Sequence, residues 1–165
     1  MNDIKSRGKR VDNRKWIYGY YSVVGNRHFI IQSNAEVFKD YKDIAIQYVI
    51  EVIPETVGLY NSRYDIWQGD IVEVKTKRVS LGQSWYQTVS QYDGNCVARC
   101  IVEFDGNQFK FNWDTEYNRA ILANRGKETD SREFQQYDIT NTSLWKKIGN
   151  IHEHPELLKG QSNVY

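Results

Sequence analysis

The chain has 165 residues, 40% hydrophobic and 26% charged, so it can bury a core and is not an intrinsically disordered protein. Its formal net charge of +1 excludes a global field that would attract nucleic acid or a membrane. No apolar run approaches the ~18 residues that span a bilayer, and residues 1–10 lack the apolar core of a secretory signal. We therefore expect a cytoplasmic protein whose two cysteines, Cys96 and Cys100, stay reduced.

Aromatic residues and charges are both distributed unevenly along the chain. Aromatic residues make up 14% of it, including 12 Tyr and 5 Trp, which favours β structure and a surface that binds other molecules. Residues 1–30 carry a net charge of +5, whereas residues 36–73 carry a net charge of −5. We interpret these segments as solvated faces that attract each other within the fold or between subunits.

The first predicted element is a β-hairpin. Residues 15–24 and 27–32 are rich in aromatic and β-branched side chains, which is typical of strands. Gly25 and Asn26 lie between them and predict a turn of type II′ or a closely related type. Residues 1–14 are polar and basic without periodicity, and we interpret them as a basic arm that precedes the hairpin.

The next predicted strand covers residues 44–53, and Pro54 ends it. Its alternate residues are apolar, and the opposite set is partly apolar as well. Such a strand is buried on both faces or contacts another subunit.

The second half of the chain begins with a turn at Gly69 and Asp70, which leads directly into a predicted strand over residues 71–75. This arrangement commonly opens a small β-barrel. Residues 77–94 are interpreted as a long hairpin or an inserted loop. A second hairpin is predicted with strands at 97–104 and 108–113 around the turn Asp105-Gly106-Asn107. Two short strands follow at 133–139 and 144–151. The chain then forms a short helix at 152–159 that starts near Pro155, and it ends in a loose tail at 160–165. Residues 114–132 are polar and show no pattern.

No catalytic motif is present: the chain has no nucleophile elbow, phosphate-binding loop, dinucleotide fingerprint or zinc-protease helix. We therefore expect no enzymatic activity and no cofactor. A lesser alternative is a metal-dependent hydrolase that uses Asp65, Asp70 and Glu73. Asp70 follows a turn glycine, however, and such a carboxylate usually accepts backbone hydrogen bonds.

Two clusters could in principle bind a metal or carry redox chemistry. One cluster is His152, Glu153 and His154 with Glu156, whose side chains have ligand chemistry. Their spacing matches no zinc signature, so we interpret them as an ordinary helix start. Cys96 and Cys100 are separated by three residues and not by the two of redox and zinc motifs. Side chains four apart share one face of a strand, so both are expected to be core thiols.

Nucleic-acid binding is the main alternative to a protein-interaction role. The candidate phosphate contacts are four cations ahead of the hairpin: Lys9, Arg10, Arg14 and Lys15. The hairpin itself carries aromatic side chains that can stack on bases, namely Trp16, Tyr18, Tyr20 and Tyr21. Aromatic residues that alternate along a strand more often build a core, however, and the charge of the whole chain is close to neutral.

Three blocks of sequence carry a family resemblance. They are RGKRVDN (7–13) with WIYGY (16–20), VIPETVGLY (52–60) with IWQGDIV (66–72), and IGNIHEHPELL (148–158). On these blocks the chain resembles the YopX family, small proteins of bacteriophages and prophages. It departs from the family pattern in a shorter segment at 61–65 without glycine and a longer link at 75–95.

The resemblance implies a mainly β fold with an SH3-like barrel in the C-terminal part, a phage or prophage context, and hence the bacterial cytoplasm. It brings no catalytic, metal or cofactor residue. We expect an N-terminal β region over 1–60 and a barrel domain over 61–165 with an insertion at about 75–95. The predicted function is a non-enzymatic protein-interaction module that self-associates. The residues expected to shape the fold are Pro54, Gly69, Asp70, Gly149, Asn150 and Pro155.

Overall fold

A computed structural model describes residues 5–32, 48–76, 80–81, 88–89, 96–123 and 139–160. The chain forms two compact units, Met1–Trp67 and Gln68–Tyr165. Each unit is built on its own antiparallel sheet, so the fold is mainly β as the sequence predicts. The division falls after Trp67 and not after Tyr60, because the strands that contain these two residues pair with each other.

The first unit contains a six-stranded antiparallel sheet. Its strands are β1 (Ser6–Lys9), β2 (Trp16–Val24), β3 (Arg27–Ile31), β4 (Val49–Glu51), β5 (Gly58–Asn61) and β6 (Ile66–Trp67). Their order across the sheet is β4-β3-β2-β1-β5-β6. The predicted hairpin is confirmed: β2 pairs with β3, and Gly25 has a φ of 60°, which suits the first central residue of a type II′ turn.

The basic arm is the main correction in this unit. Residues 6–9 form β1, an inner strand that pairs with β2 on one side and with β5 on the other. Ser6 and Arg7 are buried. Small and cationic residues alternate in β1, so the sequence shows no hydrophobic periodicity there. The strand is recognised only from its pairing with β2 and β5.

The core of the first unit lies on one face of this sheet and contains Ile17, Ile30 and Val52. A methyl group added at Gly19 would lie 2.1 Å from the backbone oxygen of Ile31, so β2 and β3 approach each other too closely for any other residue there. Of the strand predicted at 44–53, the structure describes β4, which is followed by a 3₁₀ turn at Pro54–Thr56. Residues 44–47 lie outside the described residues.

The second unit contains a four-stranded antiparallel sheet in the order β11-β10-β7-β12 and a separate pair, β8–β9. These strands are β7 (Asp70–Thr76), β8 (Ser80–Leu81), β9 (Thr88–Val89), β10 (Cys96–Phe104), β11 (Phe109–Asn112) and β12 (Trp145–Asn150). They confirm the strands predicted at 71–75, 97–104, 108–113 and 144–151. Within the described ranges the strands do not close a barrel.

Helix α1 (Glu116–Ala123) lies in a stretch that shows no pattern in the sequence. Thr115 caps it, because its hydroxyl oxygen accepts a hydrogen bond from the backbone N–H of Asn118 at 3.2 Å. The helix predicted at 152–159 is one 3₁₀ turn, Pro155–Leu158, with Pro155 in its first turn. The predictions for 82–87, 133–138 and 161–165 fall outside the described residues. No helix in the described part of the chain is long and apolar enough to cross a membrane.

Candidate binding surface

The six-stranded sheet of the first unit has one face turned to its core and one face that we call the open face. Because side chains alternate along a strand, the register assigns Ile17 and Ile30 to the core face and their neighbours in sequence to the open face. The open face carries Arg7, Lys9, Trp16, Tyr18, Tyr20, Ser22, Val24, Arg27, Phe29, Ile31, Val49, Glu51, Tyr60 and Trp67.

One part of the open face is a row of uncharged side chains that crosses three strands. Tyr20 lies opposite Ile31, and Ile31 lies opposite Val49 on the edge strand β4. Their exposed fractions are 40%, 38% and 39%. We call these three residues the apolar row.

The other part of the open face is an aromatic cluster around a buried cation. The guanidinium of Arg7 lies 4.6 Å from the ring centre of Trp16 and 5.2 Å from that of Trp67. The Trp67 ring also contacts Tyr18, at 5.4 Å between centroids, and Tyr60, at 4.6 Å. Arg7 is only 5% exposed, whereas Tyr18 is 51% exposed. The cation–π contacts with the buried Arg7 therefore stabilise the cluster, while Tyr18 is exposed to solvent.

The four cations predicted from the sequence lie at the Trp16 end of the β1–β2 hairpin. The Nζ atom of Lys9 lies 5.1 Å from the ring centre of Trp16. Arg10 donates two hydrogen bonds to Asp12, at 2.9 and 2.6 Å, and this contact lowers the pKa of the Asp12 carboxyl. Arg14 has a φ of 62° and donates its backbone N–H to the oxygen of Arg10, and Lys15 completes the turn. The turn thus gathers the predicted cations beside the aromatic cluster.

The first unit carries a net positive charge and the exposed apolar side chains found among the described residues. The first unit carries ten basic and eight acidic side chains, a net charge of +2, whereas the second unit carries twelve and thirteen, a net charge of −1. All the large hydrophobic side chains that are exposed among the described residues belong to the first unit: Val11, Tyr18, Tyr20, Tyr21, Val23, Val24, Ile31 and Val49. The first unit therefore carries the candidate binding surface.

The carboxylates named as catalytic candidates each contact a partner. Asp70 is fully buried and lies 2.9 Å from Nζ of Lys147. Glu73 lies 2.9 Å from Nζ of Lys146, and Asp65 accepts a hydrogen bond of 2.8 Å from the hydroxyl of Tyr60. The Asp70 carboxylate thus forms an ion pair with Lys147, whereas the sequence predicts hydrogen bonds from backbone N–H groups.

The segment around His152 is a tight turn organised by Asn150. The Oδ1 atom of Asn150 accepts hydrogen bonds from the backbone N–H groups of His152 and Glu153, at 3.0 and 3.1 Å, and its Nδ2 donates to the Glu153 carboxylate at 2.7 Å. A methyl group at Gly149 would lie 2.9 Å from the Leu157 side chain. Asn150 thus organises the turn by its hydrogen bonds, and the space beside Gly149 is filled by Leu157. No group of three or more potential metal ligands occurs in the described part of the chain.

Cys100 is a buried core thiol, as the sequence predicts. Removal from water raises the pKa of this thiol far above its ordinary range, so it stays protonated. The side chain of Cys96 lies outside the described residues.

Sequence reasoning identifies the cations and the aromatic residues of β2, but it misses the buried Arg7 and the ring of Trp67. It also misses the apolar row, because its three residues come together only through the pairing of β2, β3 and β4. The one sequence signal for the aromatic cluster is Trp67, next to the turn at Gly69. It indicates a strand at this position but not the strand with which it pairs.

Comparison with known proteins agrees with the family resemblance. The family model described as YopX protein matches residues 6–159. No curated protein and no solved structure matches the chain.

Proposed function

The chain belongs to the YopX family, and from that premise we propose that it is a non-enzymatic interaction protein that binds a protein partner through the apolar row. The family resemblance brings no catalytic or cofactor residue, so the proposal depends on the surface of the first unit. The observation that carries it is the cross-strand alignment of Tyr20, Ile31 and Val49, each more than a third exposed.

An aligned row of this kind is unusual on a protein that has no partner. Single exposed apolar side chains are common, but contiguous exposed patches mark sites of interaction. Here a tyrosine and two β-branched residues lie side by side up to the sheet edge. Tyrosine is among the residues that dominate binding energy at protein interfaces.

We propose a second copy of the chain as the occupant of the apolar row. The row carries no charge, so two copies related by a twofold axis bring no like charges together at its centre. Beside the row, Arg27 donates hydrogen bonds of 2.9 and 2.5 Å to Glu51, which neutralises both charges within one copy. The row also ends at β4, an edge strand.

Charge substitution in the row tests this proposal. We expect Val49→Glu and Ile31→Glu to convert a discrete oligomer of the wild-type chain into a monomer, because a buried unpaired carboxylate opposes association. The measurement is size-exclusion chromatography with light scattering over a range of protein concentrations. Val23→Glu is the matched control, since Val23 is an exposed valine on the opposite face of β2. A wild-type chain that is monomeric at high concentration, or equal effects of Val49→Glu and Val23→Glu, contradicts the proposal.

Two finer features are part of the same proposal. We place the chain in the cytoplasm of a bacterium that carries the phage or prophage, on the family resemblance; fractionation of such cells tests this. We also propose that the sheet of the second unit belongs to an SH3-like barrel, which the Gly69–Asp70 turn at the start of β7 supports. A crystal structure in which that sheet stays open contradicts the barrel.

A further inference from the structure

We propose that the aromatic cluster of the open face, together with the turn at residues 10–15, binds single-stranded nucleic acid. This activity goes beyond the proposed protein contact, because it uses Tyr18, Trp16 and the neighbouring cations and not the apolar row. Three features of the first unit support this proposal. They are the exposed ring of Tyr18, which is held in place by neighbouring rings, the spacing of the rings along β2, and a local excess of positive charge.

Tyr18 is the exposed ring on which a base can stack. Half of its side chain is exposed, and its ring packs at 5.4 Å against Trp67, which packs at 4.6 Å against Tyr60. A side chain that is already held in place loses little conformational entropy when a ligand binds to it. Stacking on such rings accepts any base, because every base has a π face.

Trp16 and Tyr18 are two residues apart on one strand, so their rings are separated by about 6.6 Å along β2. This separation is about twice the ~3.4 Å rise between neighbouring nucleotides in a duplex strand. Neighbouring bases that stack on the two rings must therefore be separated from each other. A single strand allows that separation, whereas the paired and stacked bases of a duplex do not.

The cations around the rings match the phosphates of such a strand. Lys9 on β1 lies opposite Trp16, whereas Arg7, opposite Tyr18, is buried and contacts the rings and not the ligand. Arg14 and Lys15 are exposed at the Trp16 end of the hairpin. Arg10 is paired with Asp12 and contributes less of this field. Since residues 5–15 carry six basic side chains and one acidic side chain, a polyanion is the occupant that the local charge favours.

An acidic peptide would satisfy the charge but not the rings. Peptide carboxylates would pair with the cations, but they would leave the exposed ring of Tyr18 at the centre of this surface without a stacking partner. Aromatic rings interleaved with cations are the usual composition of surfaces that bind single strands. We therefore commit to nucleic acid and treat a protein ligand as an outcome that the experiment detects.

The test is fluorescence anisotropy with the full-length chain and three labelled probes: an oligothymidylate, an oligouridylate and a duplex of equal length. We expect both single strands to bind more tightly than the duplex at low salt, and the first two probes separate DNA from RNA. Tyr18→Ala should weaken single-strand binding by about tenfold or more. Tyr21→Ala is the matched control, because Tyr21 lies on the same strand but on the opposite face, and it should leave the affinity unchanged.

A second variant tests the charge. Arg14→Ser combined with Lys15→Ser should reduce the slope of log affinity against log salt by about 0.7 for each phosphate contact that is lost. Lys110→Ser combined with Arg119→Ser removes two exposed cations from the second unit and should leave the slope unchanged. Circular dichroism of each variant shows whether the fold is retained.

Several results would overturn the proposal. They are no binding of either single strand at low salt, tighter binding of the duplex, or equal losses from Tyr18→Ala and Tyr21→Ala. Loss of self-association in Tyr18→Ala, without oligonucleotide binding by the wild type, would assign the cluster to a protein contact. The variant Val49→Glu separates the two proposals, because it should abolish self-association and keep the affinity for oligonucleotides.

Discussion

The side chain of Asn118 hydrogen-bonds to both backbone polar groups of Arg99. Its Oδ1 accepts the Arg99 N–H at 2.9 Å, and its Nδ2 donates to the Arg99 oxygen at 3.0 Å. Pairing between β10 and β11 ends at Ile101, opposite Asn112. The amide of Asn118 therefore continues the hydrogen-bond ladder beyond the end of β11 and attaches helix α1 to the sheet.

Replacing Asn118 with alanine should destabilise the second unit. Asn118 is fully buried, and its Nδ2 also donates to the oxygen of Trp113 at 2.8 Å. The substitution leaves buried backbone groups without these partners, so we expect a loss of about 3 kcal/mol in the free energy of unfolding. Urea unfolding measures it, with Asn107→Ala, at an exposed turn position, as the control. A loss no larger than that of the control means that the ladder does not depend on Asn118.

Gly19→Ala should disrupt the first sheet. The added methyl group would lie 2.1 Å from the backbone oxygen of Ile31, and a backbone atom cannot move away as a flexible side chain can. We expect a destabilisation of more than about 2 kcal/mol or loss of the folded first unit. Thermal unfolding of Gly19→Ala and of Ser22→Ala, on the same strand, makes the comparison. Equal midpoints for the two variants contradict the close approach of β2 and β3.

The pair Arg27–Glu51 predicts a defined pH dependence. The hydrogen bond from Arg27 lowers the pKa of the Glu51 carboxyl below its ordinary value of 4.5. A carboxyl with a lowered pKa stabilises the folded state above its unfolded pKa, and this contribution is lost as the pH falls through the folded value. Carbon-detected NMR titration should show a lower pKa for the Glu51 carboxyl in the wild type than in Arg27→Gln. Identical titration curves mean that the pair does not form in solution.

The thiol of Cys100 should be unreactive in the folded chain. Burial raises its pKa, so little thiolate is present, and the side chain is shielded from reagents. In the variant Cys96→Ser, a disulfide reagent at mildly alkaline pH should label no thiol until guanidinium is added. Rapid labelling of the folded variant would show that β10 opens or that Cys100 is accessible.

The sequence predicts the secondary-structure elements that depend on local signals. It does not predict the elements whose formation depends on contacts with residues distant in the chain. Gly25 and the Asp105-Gly106 turn mark their hairpins by backbone preference alone. Strand β1 carries no such signal, because Arg7 is buried through contacts with rings from two other strands. Helix α1 is anchored by the buried polar Asn118, which in a sequence resembles a loop residue.

The candidate binding surface is likewise only partly predictable from the sequence. The cations of residues 9–15 and the aromatic residues of β2 are recognisable in the sequence. Their sorting onto two faces follows from the register, which separates Tyr20 from its neighbour Tyr21. The apolar row depends on two strand pairings at once and is visible only in the folded chain.

Hydroxyl-radical footprinting of Tyr20 and Tyr21 tests the central claim, that the open face of the first sheet is the interaction surface, most directly. The two side chains are 40% and 39% exposed but lie on opposite faces of β2, so they are matched in chemistry and accessibility. On passing from dilute to concentrated protein, oxidation of Tyr20 should fall while that of Tyr21 stays constant. Equal protection of both residues, or protection of Tyr21 alone, would contradict the account.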